Sequence, residues 1–288
     1  MPHTLRNLRL SALRALQTPD PDAKIQALLP CEQALQILLQ QREQQHSFCA
    51  PDTPIAEPED LPGRPARPEL LPHRAIVARS LYAPDGLARL LHSVAHIEFN
   101  AINLALDAVW RFEAMPMQFY TDWLQVAREE AYHFGLLQDL LHEMGHRYGD
   151  FPAHMGLWEM TEKTKGDITA RMALVPRTLE ARGLDVTPPM QAKLRKLGTP
   201  MALKAVAALD IILHDEVGHV RIGNHWYGWL CARQGLDPLA YYAELMQRYD
   251  APRLRAPFNE AARLAAGFQA AELQALRQDA ISASAAPS

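Results

Sequence analysis

The chain has 288 residues, 48% of them hydrophobic, and a formal charge of −4 from 29 basic and 33 acidic side chains. That balance gives no global attraction to nucleic acid or to an anionic membrane, and leaves only a local basic patch as a route to either. No stretch approaches the roughly 18 uninterrupted apolar residues of a transmembrane helix.

The opening residues, MPHTLRNLRLSAL, lack the long apolar core of a secretory signal. The three cysteines, Cys31, Cys49 and Cys231, are too scattered for a disulfide framework or a zinc site and suit a reducing compartment. A cytoplasmic location is the expectation. Glycine is scarce, with 14 residues, while Ala, Leu, Gln, Arg and Glu abound and strand-like alternation is rare. The composition therefore predicts an all-α chain.

In chain order, residues 4–17 and 23–43 read as two helices joined by TPDPD, an N-terminal extension over 1–46. Residues 47–73 carry seven prolines, a density that forbids a continuous helix and predicts an extended segment, to about residue 80, wrapping the surface. Helix A is expected from Asp85, read as its cap, to about Glu113. Helix B follows from about Pro116 and ends at Gly145. Helix C covers 157–182, kinked at Pro176 and ended by Gly183, with a short helical stretch at 188–197. Helix D starts at Thr199-Pro200, a cap followed by proline at the first helical position, and runs to Gln234-Gly235. One or two further helices fill 236–277, and the tail over 278–288 reads as disordered.

The pattern richest in chemistry occurs twice, 86 residues apart. Glu130-x-x-His133 lies in helix B and Glu216-x-x-His219 in helix D. The i, i+3 spacing places a carboxylate and an imidazole on one helix face. Each pair has an upstream glutamate, Glu98 and Glu180, 32 and 36 residues earlier. One Glu from each of two helices plus Glu-x-x-His from each of two others is the ligand set of a dinuclear carboxylate site inside a four-helix bundle. Glu98 interrupts an apolar stripe of Leu91, Val94, Ala95, Ile102, Ala105 and Val109, where an unpaired carboxylate is costly. Glu159 and Glu162 compete with Glu180 for its role. The midpoints of Glu98 with Glu130 and of Glu180 with Glu216 fall at residues 114 and 198, both in turns. At about 1.5 Å per residue, antiparallel helices then bring the motifs level. The second match requires 188–197 to continue the axis of helix C. Acids directly before the ligand glutamates, Glu129 and Asp215, are candidates to orient the histidines from behind.

Other motifs give weaker signals. His142-Glu143-Met144-Gly145-His146 fits the zinc protease pattern H-E-x-x-H, but Gly145 and the following RYGD end the helix inside it, and Pro152 stands where a longer pattern needs a third histidine. At a helix C-terminus both imidazoles interact well with the dipole. His92 and His96 read as core or surface histidines. Tyr132, Trp226 and Tyr227 read as packing residues, with a substrate channel or an oxidising equivalent as the alternative. No phosphate loop and no nucleophile elbow occur.

Taken together, the blocks LPGRPARPELLP, LLHSVAHIEFNAINLALDAVWRF, EEAYHFGLL, YGDFPAHMGLWEMTEKT, RMALVPRTLEARGLD and HDEVGHV resemble the ferritin-like superfamily, and within it a family of uncharacterised bacterial proteins of this length. The resemblance covers about 60–240. It implies a ferritin-like four-helix bundle over 81–235, with extra N- and C-terminal helices. It also implies a centre of two iron ions, or iron plus manganese, on Glu98, Glu130, His133, Glu180, Glu216 and His219. The choice of Glu180 over Glu159 comes from the MALVPRTLEARGLD block. Relatives with an acid before the second ligand glutamate favour Asp215 as a histidine support. A more distant likeness is to the bacterial tRNA hydroxylase that modifies an isopentenyl-adenosine. The expected activity is O₂-dependent oxidation of a small organic substrate, fed by an external electron donor, since no flavin or iron–sulfur motif is present. Alternatives are iron binding with ferroxidase activity alone, a structural bundle without metal, tRNA hydroxylation, and zinc hydrolysis. Substrate, reductase, metal pair and oligomeric state are left open at this level.

Overall fold

A computed structural model describes residues 5–42, 55–72, 75–76 and 79–285. Cys49, residues 47–54 and 73 of the proline-rich segment, and the last three residues of the tail lie outside them. The regular elements of the described residues are all helices, with no strand among them and one isolated bridge, Leu70 to Ala153. They form two compact units, Met1–Trp158 and Glu159–Ser288. The first helix pair of the expected bundle belongs to the first unit and the second pair to the other.

The first unit begins with α1 (Leu5–Gln17), α2 (Pro21–Gln26) and α3 (Leu28–Arg42). The helix expected over 23–43 is thus two. Asp20 caps α2 by accepting from the Ala23 amide at 2.9 Å. Pro30, lacking an N–H, cannot bond back to Gln26, and the break falls there. Two long helices follow, α4 (Gly86–Arg111) and α5 (Met117–Glu143), packed as a hairpin. Asp85 is not the side-chain cap the sequence suggests: its carboxylate takes a bond from Arg89 Nε at 2.5 Å instead. The turn between them contains Ala114 at φ 58°, at the midpoint the spacing requires. Gly145, at φ 77°, ends α5, and the next amide, His146 N–H, closes back on Leu141 O at 2.9 Å.

The described part of the proline-rich segment is pinned to this unit. Glu57 pairs with Arg111, Gly63 donates to Leu16 O, and Glu69 and Leu71 exchange backbone bonds with Ala153. A Cβ on Gly63 would sit 1.9 Å from Gln17 O, so only glycine fits. Lys24, fully buried, spans these pieces by donating to Leu16 O, Gly63 O and Asn103 Oδ1 at 2.8, 3.2 and 2.6 Å.

The helix expected over 157–182 is three elements. α6 (Gly156–Lys163) and α7 (Ile168–Leu174, capped by Asp167) precede a six-residue π-helix, Val175–Glu180, and α8 (Ala181–Leu197) follows without a break. Pro176 has no N–H to offer Met172 O, and Thr178 Oγ1 closes on Ala173 O at 2.7 Å, so the turn widens rather than kinks. Gly183 does not end the helix, and α8 continues through Pro188 and Pro189. Leu184 O, which Pro188 leaves without its helical partner, accepts from Asn259 Nδ2 at 3.1 Å. Residues 188–197 therefore continue α8 into the turn at Gly198, φ 69°.

α9 (Pro200–Gln234) starts and stops as expected: Thr199 Oγ1 accepts from Ala202 N at 3.2 Å and Gly235 takes φ 66°. Gly223 on α9 lies against the π-helix, where a Cβ would come 2.6 Å from Pro176 Cβ. Three helices complete the unit, α10 (Pro238–Arg248), α11 (Glu260–Ala265) and α12 (Ala270–Ala285). α12 covers most of the tail that reads as disordered, its alanines favouring helix. The second unit's core includes Ala181, Leu184, Val220, Ala266, Phe268 and Leu273, beside the buried pair Arg263–Asp185 at 2.6 Å.

Candidate metal centre

In the first unit, the apolar stripes of α4 and α5 face one another, and the three ionisable groups set into them converge. Glu98, Glu130 and His133 are all buried and carry ligand atoms within 4.8 Å of one another. His133 Nδ1 lies 3.3 Å from Glu98 Oε2 and 3.4 Å from Glu130 Oε2. Burial, and then the Glu130 carboxylate, push the Glu98 carboxyl up from its ordinary value to about 8. Burial alone would lower His133; the contacts with Glu130 and Glu98 outweigh it and raise the imidazole to about 11.

Two carboxylates crowded into an apolar interior are costly unless positive charge sits between them. Here a protonated His133 supplies that charge, and a divalent cation would supply it better. Two carboxylate oxygens and one imidazole nitrogen suit iron, manganese or zinc. The residues present therefore fit a metal ion.

The second unit repeats part of the pattern. Glu216 and His219, one turn apart on α9, are both buried, with ligand atoms within 4.8 Å of each other. Glu180 is buried at the end of the π-helix, which packs against α9. Glu180, Glu216 and His219 do not all close to within that mutual distance. The competing glutamates stand elsewhere: Glu159 and Glu162 are exposed, and Glu162 pairs with Lys165. Of the two acids expected behind the histidines, Glu129 is half-buried and accepts from Gln125 one turn back at 3.0 Å, and Asp215 is half-buried on α9.

The H-E-x-x-H stretch does not form one helix face. α5 ends at Glu143, His142 is exposed, and His146 lies beyond the Gly145 turn with its Nδ1 3.8 Å from Asp150 Oδ2. Tyr132 is 55% exposed, contrary to a packing role, whereas Trp226 and Tyr227 are buried.

His92 and His96 are core histidines that serve a cluster the sequence did not reveal. His96 Nε2 lies 2.9 Å from His154 O and its Nδ1 2.9 Å from the Tyr148 hydroxyl oxygen. His92 Nε2 accepts from the Gly149 amide at 2.9 Å. Burial lowers both imidazoles to about 4 and keeps them neutral. The Tyr148 ring lies against Phe99 and Phe134, centroids 5.5 and 5.1 Å away. Those rings directly follow Glu98 and His133, so the cluster braces two of the three converging side chains. Its one sequence signal is the YGDFP run, which periodicity does not interpret.

The fold and these side chains define an all-helical chain with two Glu and Glu-x-x-His sets on helix pairs. It belongs to the family described as protein of unknown function (DUF455), whose model matches residues 17–274. A protein of Haemophilus influenzae, itself described as uncharacterized, is 47% identical over 230 residues, covering 77% of this chain and 79% of that protein. No solved structure matches at a significant level. No helix among the described residues is long and apolar enough to cross a membrane.

Proposed function

We propose that this chain is a dinuclear metal-carboxylate oxidoreductase of ferritin-like architecture. One ion would be held by Glu98, Glu130 and His133, and the other by Glu180, Glu216 and His219. The observation that carries the reading is the buried, mutually repelling Glu98–Glu130 pair closed on His133, with its motif repeated at Glu216 and His219.

The metals, two irons or iron with manganese, supply redox chemistry with O₂ when bound. The chain's own part is to hold and insulate them. Carboxylates fix charge and spacing, the imidazoles hold their ring orientation by packing, and the apolar faces of the helices exclude water. Asp215 would steady its histidine from behind. Electrons come from an external donor, and the substrate is a small organic molecule.

Anaerobic reconstitution with ferrous iron, followed by admission of air in an oxygen electrode cell, tests this. The proposal expects stoichiometric O₂ uptake by the wild type and little by Glu98→Ala. Equal uptake by both proteins would contradict it. Uptake with only ferric product and no substrate turnover would point to ferroxidase activity alone.

A further inference from the structure

Glu180, assigned above to the second metal set, ends a π-helical turn whose other side chains reach the C-terminal helices. The turn, Val175–Glu180, lies between α7 and α8. Pro176 brings it no N–H, and side chains supply part of its support. Thr178 Oγ1 closes on Ala173 O at 2.7 Å and lies 2.8 Å from the Tyr242 hydroxyl oxygen on α10. Arg177, its side chain 4% exposed, donates to Asn224 Oδ1 on α9 at 2.7 Å and pairs with Glu272 on α12. The rings of Tyr227, Tyr242 and Phe268 lie with centroids 5.0, 4.9 and 4.8 Å from its guanidinium carbon.

These contacts make the turn depend on α10 and α12. Were α12 to detach, Arg177 would keep a buried charge without Glu272, and breaking a buried ion pair by removing one partner is strongly destabilising. Were α10 to detach, Thr178 would lose the Tyr242 hydroxyl and Arg177 one of its rings. Both helices are lightly seated. A cavity of about 810 Å³ opens between them, with Leu239 and Met246 of α10 and Leu276 of α12 on its wall. Of the described residues of α10, only Leu245 is buried. Elements with few buried apolar contacts open locally at low cost.

Anything bound by the closed form and not by the open one favours closure, and such coupling is reciprocal. An ion held by Glu180 is bound only while the turn is in place. We propose that the turn over 175–180 couples metal occupancy to the C-terminal helices: the ion holds α10 and α12 closed, and their detachment loosens the ion. The coupling rests on the metal reading above, because Glu180 is where the turn meets the ion.

Hydrogen–deuterium exchange of the full chain, with and without manganese(II), tests this, with bound metal counted in the same samples by plasma mass spectrometry. Exchange over 238–248 and 270–280 should slow by about tenfold when free manganese stands at about ten times its dissociation constant. Glu180→Ala should abolish the slowing in both segments. Tyr242→Phe removes one hydroxyl and should cut the slowing over 238–248 to about threefold or less, while 270–280 keeps its own. Glu272→Gln should do the reverse. Neither residue belongs to a metal set, so both variants should bind as much manganese as the wild type. Manganese bound with exchange unchanged in both segments, or full slowing kept in both variants, would overturn the coupling and leave the metal reading standing. A wild type that binds no manganese would overturn the metal reading and the coupling with it.

Discussion

α4 and α5 present Glu98, Glu130 and His133 from two uninterrupted helices of 26 and 27 residues, and the three side chains meet. In the second unit α9 is just as regular, but its partner strand of helix is not: Glu180 stands at the end of a π-helix that Pro176 opens between α7 and α8. There Glu216 and His219 bring ligand atoms within 4.8 Å of each other. The same residue pattern thus rests on two regular helices in one unit and on a regular helix beside a π-helical turn in the other. Spacing along two regular helices suffices to bring Glu98, Glu130 and His133 together.

The largest expected effect breaks the regular half. Glu130→Gln removes a charge from the closed triad and should weaken metal binding there by about a hundredfold, equivalent to about 2.7 kcal/mol, read by competition with a chelator. An unchanged affinity would mean that Glu130 is not a ligand.

Next in size is the lysine that ties the frame. Lys24→Met strips donors from Leu16 O, Gly63 O and Asn103 Oδ1 and should cost about 2 kcal/mol in urea unfolding. Burial, followed by the Arg64 guanidinium, lowers the Lys24 ammonium from 10.5 to about 7. Between those values the unfolded chain binds more protons at this site than the native one. Its stabilising contribution is therefore present above 10.5 and is lost as pH falls through 7. Wild-type stability should rise with pH across that window more steeply than that of the variant; parallel curves would contradict the assignment.

A smaller pair of effects probes the irregular half, with opposite signs on one helix. In Gly223→Ala the new methyl meets Pro176 at 2.6 Å, and the clash should outweigh the gain of about 1 kcal/mol in helix propensity, for a net loss of about 1–2 kcal/mol. Gly218→Ala, with nothing within 4 Å, should instead stabilise by up to about 1 kcal/mol. Thermal unfolding of both reads the contrast; equal shifts would remove the close approach at Pro176. Smallest is Pro176→Ala, which restores an N–H for Met172 O. It should change stability by less than about 1 kcal/mol while raising hydrogen-exchange protection around 175–180.

The regular half was legible because its signals are local. Val94, Ala95, Ile102 and Ala105 mark the inward stripe of α4, and Gly145 marks the end of α5. Burial was what the sequence lacked for choosing among Glu159, Glu162 and Glu180: three glutamates on one stretch look alike until the first two prove exposed. The π-helix was illegible for a different reason. Pro176 announces a disturbance, but its form depends on Thr178 reaching back to Ala173 and on the room left by Gly223, 47 residues later in the chain. Likewise Gly183 and Pro188-Pro189 read as the end of a helix, because nothing near them shows that Asn259 will satisfy Leu184 O. The Tyr148–His96 bond spans 52 residues and follows no periodicity.

The central claim is that the two sets hold two metal ions, and counting metals tests it most directly. Protein expressed in medium supplemented with iron and manganese would be compared with a Glu98→Ala, Glu216→Ala double variant by plasma mass spectrometry, alongside circular dichroism. The account predicts about two iron or manganese ions per wild-type chain, lost in the variant while helicity is retained. Metal absent from the wild type, or equally abundant in both proteins, would contradict it.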